Sequence, residues 1–141
     1  MILQFTVSCK PEPQGSSRGF PIKRRDGRIG VSITSANPKL HGCREIVSYA
    51  ALEAVTKSAL CRPVAPRGVP VALDIVFNFT KPHSAKKRES PVVKPDLDKL
   101  CRAVLDSLTG VIYADDAQVI QLTAGKYYSP RESVDVTVTT V

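Results

Sequence analysis

Residues 69–80, VPVALDIVFNFT, put Val71, Leu73, Ile75, Phe77 and Phe79 on one side of an extended chain. Side chains on a strand alternate between faces, so this stretch predicts a strand with one apolar face. The segment after it, KPHSAKKRESPVVKP (81–95), holds too many prolines and charges for regular structure and predicts a basic loop. Pro95 biases Lys94 toward extended backbone, and Asp96 is then a good N-cap for a helix over about 97–108. In that helix Leu97, Leu100, Cys101, Val104, Leu105 and Leu108 form an apolar face. A strong strand followed by an amphipathic helix sets the class as α+β.

The flanking sequence extends the pattern in both directions. Toward the C-terminus, LTGVIYADD (108–116) reads as a turn, AQVIQLTAGKYY (117–128) as a strand and SVDVTVTTV (133–141) as a closing strand. Toward the N-terminus, Pro63 and Pro66 break a helix over 43–61, whose apolar residues from Ile46 to Ala59 follow helical spacing. SANPKLHG (35–42) and PEPQGSSRGFP (11–21) read as loops. ILQFTVSC (2–9) and RIGVSIT (28–34) read as strands joined in a long-looped hairpin. The expected architecture is a single domain over 1–141, with a mixed, mainly antiparallel sheet and two helices packed on it. At 141 residues one core is the natural solution.

Bulk composition excludes several classes. Hydrophobic content of 43% and charged content of 23% are those of a globular protein. No apolar run approaches the roughly 20 residues that span a bilayer. MILQFTVSCK lacks the basic leader and small-residue cleavage site of a signal peptide, so a cytoplasmic setting is expected. Cys9, Cys43, Cys61 and Cys101 form no C-x-x-C pair and are expected to be buried free thiols.

Net charge is +7, unevenly spread. Arg18, Lys23, Arg24 and Arg25 concentrate in one segment and Lys86, Lys87, Arg88 and Lys94 in another. Against this background, residues 94–119 hold five of the thirteen acidic residues: Asp96, Asp98, Asp106, Asp115 and Asp116. Each has an ordinary account. Asp96 and Asp98 suit a helix entrance, Asp98, Arg102 and Asp106 an exposed helical row, and Asp115 and Asp116 a turn. Together, however, like charges need either solvent or a cation among them. A twelve-residue helix is roughly 18 Å long. If the strand after it returns antiparallel to the helix, the strand's far end approaches Asp96 and Asp98 instead of Asp116. Spacing permits convergence of the aspartates without requiring it.

The run P-D-L-D-K-L…D-S-L-T-G-V-I-Y-A-D-D-A-Q-V…K-Y resembles the signature of the RusA family of Holliday junction resolvases, P-D-x-D-N-L-x-K…D-A-L-x-G…D-D-x-Q-V…K. The match runs from about residue 94 to 128, and P-x-P-Q-G at the N-terminus is similar to the family's first loop. The resemblance implies a Mg²⁺-dependent endodeoxyribonuclease, with Mn²⁺ as a substitute, acting as a homodimer on four-way DNA in recombination and repair. It implies metal ligands at Asp96, Asp98 and Asp116, with Asp115 a fourth, and a basic catalytic residue at Arg102. Arg102 replaces the usual Lys and, always charged, suits an electrostatic role. Lys99 stands where the family has Asn, either binding phosphate or weakening the metal site. Lys126 matches the family's later lysine. Ten residues beyond Asp116 on an unbroken strand, it would lie roughly 33 Å from it, so it is expected to contact DNA elsewhere or serve the partner subunit.

A carboxylate cluster holding Mg²⁺ between cationic segments suits phosphodiester hydrolysis on a tracked backbone. The few aromatics, 6% with no Trp, argue against a base-stacking single-strand platform. Two other readings remain: a flap or branched-DNA nuclease of the same chemistry, and a junction-binding protein without catalysis.

Overall fold

The computed structural model describes residues 1–14, 17–23, 25–35 and 40–141. In chain order its elements are β1 (Ile2–Val7), β2 (Ser17–Lys23), β3 (Ile29–Ser35), α1 (Leu40–Lys57), β4 (Val71–Phe79), α2 (Leu97–Leu108), β5 (Val119–Tyr128) and β6 (Ser133–Thr140). Single 3₁₀ turns at His83–Ala85 and Asp116–Gln118 lie before and after α2 in the connection from β4 to β5.

Alternation decides which strand is central. Val71, Leu73, Ile75, Phe77 and Phe79 of β4 are buried while Asp74 faces solvent. β6 repeats the pattern with Val134, Val136 and Val138, and pairs antiparallel with β4 on one side and β1 on the other. β5 pairs with the free edge of β4 in parallel. The resulting sheet, ordered β1-β6-β4-β5, is mixed and mainly antiparallel, as expected. Its parallel pair requires a long crossover, supplied by residues 80–118 with α2 inside them. Val47, Ala51 and Val55 of α1 and Leu100, Val104 and Leu108 of α2 join the valines of β6 in one core. The opposite sheet face is polar: Asp135 accepts from Thr6 Oγ1 at 2.7 Å and from Asn78 Nδ2 at 2.9 Å.

Several expectations need correction. β3 pairs with β2, in a separate two-stranded sheet, and not with β1, whose partner is β6. The turn between β2 and β3 explains this. Gly27 adopts φ +80° and Asp26 Oδ1 accepts the Arg28 N–H at 3.0 Å, a local closure that makes the nearest strand the best partner. Part of the stretch read as a loop, from Ser17 onward, is therefore strand. α1 ends at Lys57, short of Cys61. There the Leu60 N–H bonds to Val55 O and the Ala59 N–H to Thr56 O, with Ala59 at φ +54°. That pair of bonds is a Schellman stop. Cys61, beyond it, is exposed, whereas Cys43 and Cys101 are buried and Cys9 half-buried. The segment read as a plain turn carries Val111, Ile112 and Tyr113 into the core. No helix among the described residues is long and apolar enough to cross a membrane.

Candidate active site

Two carboxylates stand at the entrance of α2. Asp96 precedes the first turn in extended backbone, and its carbonyl accepts the Leu100 N–H at 3.2 Å. Its side chain makes no capping hydrogen bond. The carboxylate instead lies 3.5 Å from Lys99 Nζ, a surface pair whose strength is small. Asp98, in the first turn, is exposed and enters no ion pair among the described residues. The helix macrodipole favours negative charge at this end.

This entrance is anchored from two sides. The Gln14 N–H donates to Lys99 O at 3.0 Å, tying the segment after β1 to the first turn. From β5, Lys126 Nζ donates to Val93 O at 2.8 Å and to Pro95 O at 2.9 Å.

Asp115 and Asp116 sit at the other end of α2. Asp115 Oδ1 caps the 3₁₀ turn by accepting the Ala117 N–H at 2.9 Å, while Gln118 Oε1 accepts from the N–H groups of Ala114 and Asp115, each at 3.0 Å. Gln118 Nε2 donates in turn to Pro66 O at 2.8 Å and Val69 O at 2.9 Å. Buried Tyr113 donates its hydroxyl to Leu105 O at 2.7 Å, which pins the turn to the C-terminal half of the helix. Burial pushes the Tyr113 phenol well above its usual range, helped by the charges of Asp116 and Asp106. Asp116 is exposed.

β5 therefore starts near the end of α2 and runs back toward its beginning. Of the two courses that spacing allowed, the chain takes the antiparallel one. Lys126 meets the Asp96–Asp98 segment, whereas Asp116 lies on the side of Tyr113, whose hydroxyl is bonded to Leu105 in the C-terminal half of α2. Among the described residues no three His, Cys, Asp or Glu side chains gather closely enough to hold a metal ion.

The remaining candidates fall into two groups. Arg102 is exposed one turn beyond Asp98 and enters no ion pair among the described residues. Asp106, next in the same row, lies 3.7 Å from Arg44 of α1, so the row ends against a neighbouring helix instead of in open solvent. Lys23, Arg25, Lys86, Lys87 and Lys94 are exposed, and Arg18 lies on β2. Arg24 lies outside the described residues. Arg88 is turned inward, donating to Tyr128 Oη at 3.2 Å.

Residues 17–139 match the family Endodeoxyribonuclease RusA. The chain belongs to the RusA family. It is also 30% identical over 145 residues to "Uncharacterized protein YqaN" of Bacillus subtilis strain 168, a similarity covering 95% of this chain and 93% of that protein. RusA membership implies a Holliday junction-resolving endonuclease, of a kind generally dependent on divalent metal. The donor chemistry at the α2 entrance fits such an ion, because Mg²⁺ takes hard oxygens and commonly needs only one or two carboxylates beside waters and substrate phosphates. The residue that sequence reasoning passed over is Gln118. Its signal was present, since an N-cap Asp followed three residues later by Gln is the pattern of a capping box.

Proposed function

We propose that this RusA-family chain is a Mg²⁺-dependent resolvase that makes paired nicks in four-way DNA junctions as a two-fold homodimer. The observation that supports it best is the pair of exposed carboxylates, Asp96 and Asp98, at a helix entrance held from two sides, with Asp96 free of the capping duty its position suggests. Asp96 and Asp98 would hold the ion, which when bound supplies an activated water and neutralises phosphoryl charge. Mn²⁺ would serve in its place. Arg102, one turn along α2, presents a fixed positive charge to the scissile phosphate. Exposed Lys23, Arg25, Lys86, Lys87 and Lys94 track the flanking backbone, giving salt-sensitive affinity without sequence information. Arg18, on β2, and Arg24, by its place in the sequence, are proposed to act with them.

Asp116 enters through the second copy. Within one chain Asp116 stands by the C-terminal half of α2 while Asp96 stands at its entrance, and no three such side chains gather among the described residues, so a site that uses all three carboxylates favours two chains. A two-fold axis that lays the Asp116 end of one on the Asp96 end of the other creates two identical sites, matching the symmetry of a junction cut twice. Asp115 has Oδ1 engaged in its cap and offers only its other oxygen.

The test is cleavage of an end-labelled synthetic four-way junction with Mg²⁺ and then with EDTA, beside linear duplex and a flap. Symmetric nicks that require Mg²⁺ and vanish with Asp96→Asn support the proposal. Equal cutting of flaps would widen the substrate to branched DNA at large. Tight junction binding without cutting in any divalent metal would reduce the protein to a binder.

A further inference from the structure

Lys126 has the pairing of a structural clamp. It projects from β5 at the position paired with Phe77, and its ammonium bridges two carbonyls, Val93 O at 2.8 Å and Pro95 O at 2.9 Å. These carbonyls belong to an irregular segment outside the sheet, and the second is the last before Asp96. Two of the three N–H donors of an ammonium are thereby engaged within the protein, and the side chain is half-buried. A cation so placed is a poor primary anchor for a DNA phosphate.

The geometry of the peptide bond gives the clamp its consequence. The Pro95 carbonyl oxygen, the Asp96 nitrogen and the Asp96 Cα lie in one rigid plane. Fixing that oxygen from one side, and the Val93 oxygen two residues earlier, sets the orientation of the plane from which the Asp96 Cα–Cβ bond departs. The Gln14 contact fixes the other side of the same turn through Lys99 O at 3.0 Å. The Asp96 carboxylate makes no cap hydrogen bond, and its one local partner is the half-exposed Lys99 ammonium at 3.5 Å, a weak surface pair, so its direction rests mainly on this backbone.

We propose that Lys126 is a positioning residue that aims the Asp96 carboxylate by clamping the Val93 and Pro95 carbonyls. The proposal rests on the reading of Asp96 as a metal ligand in a nuclease. It differs from a DNA-contact role in what removal of the ammonium does. A phosphate contact carries affinity and part of its salt dependence, whereas a positioning contact carries the rate and the metal requirement.

The experiment compares Lys126→Met, which keeps much of the apolar stem, and Lys126→Arg, whose fork can span both carbonyls, with the natural chain. Junction affinity and its salt slope are measured in Ca²⁺, single-turnover cleavage in a Mg²⁺ titration, and amide hydrogen exchange over residues 92–100 without DNA or metal. For Lys126→Met we expect affinity and salt slope close to the natural chain's and cleavage slower by about tenfold to a hundredfold. Half-saturation should need more Mg²⁺, exchange over 92–100 should be faster, and exchange in β4 unchanged. Lys126→Arg should restore most of the rate. Unchanged exchange over 92–100 overturns the proposal. So does a Lys126→Met protein that cuts normally when saturated but loses affinity, with a salt slope shallower by about one. If the natural chain cuts no branched DNA in any divalent metal, the nuclease reading fails, and the exchange measurement still decides whether the clamp holds the segment.

Discussion

Gln118 does more for the acidic turn than either aspartate beside it. One side chain holds the N–H groups of Ala114 and Asp115 and the carbonyls of Pro66 and Val69. Gln118→Ala should destabilise the fold by about 2–4 kcal/mol, since partly buried groups lose their partners at once. Urea unfolding should show a lower midpoint with an unchanged slope. Cys43 offers a second test. A hydrogen bond from the Cys9 thiol, Sγ to Sγ 3.9 Å, lowers its pKa to about 7, while Cys9 is pushed upward. With a folded pKa below the ordinary thiol value, the thiolate contributes stability above that ordinary value, and the contribution is lost as pH falls through about 7. Ultraviolet titration should find a thiolate with a midpoint near 7 that disappears in Cys43→Ser and moves upward in Cys9→Ala. Residue identities were legible at the α2 entrance because Pro-Asp-x-Asp before an apolar periodicity is a helix start. Whether Asp96 spends its carboxylate on the cap was not, because that depends on a side-chain rotamer.

At the scale of elements, the apolar patterns of β4, β6 and α2 could be read directly because burial on one face leaves a period in the sequence. Pairing was harder. The β2–β3 hairpin carries its signal in Asp26-Gly27, but the Pro, Gly and Ser residues before it disguised the first strand as loop. The direction of β5 relative to α2 left no trace in spacing, since both courses use the same residues. The stop of α1 is a third case. Ala59 takes a left-handed conformation that glycine adopts without steric cost, and nothing in the residue type announces it. Ala59→Gly should relieve that strain and stabilise the fold by about 1 kcal/mol. Thermal unfolding should shift upward by roughly 2–4 °C.

For the whole molecule, the separation of Asp116 from Asp96 makes a sharp prediction about assembly. An Asp96→Asn chain and an Asp116→Asn chain should each be inactive alone. Mixed under conditions that allow exchange of subunits, they form heterodimers in which one site pairs two substituted residues and the other pairs two natural ones. Junction nicking should reappear on single strands, at no more than about a quarter of the natural number of sites given random pairing. Continued inactivity of the mixture would mean that each chain supplies its own Asp116. A site shared between two chains would leave no mark in the sequence, because it would follow from the fold placing the two halves of one motif at different parts of α2.

The position of β6 bears on how the protein comes into being. It follows β1, β4 and β5 in the chain and yet lies inside the sheet, with β1 on one flank and β4 on the other. While residues 133–140 remain in the ribosome, β1 has no neighbour and the β4 edge is open. The aspartates of α2 exist by then but have no finished sheet to stand on. Whatever α2 presents at its entrance therefore waits for residues 133–140, which close the sheet on which the helix packs.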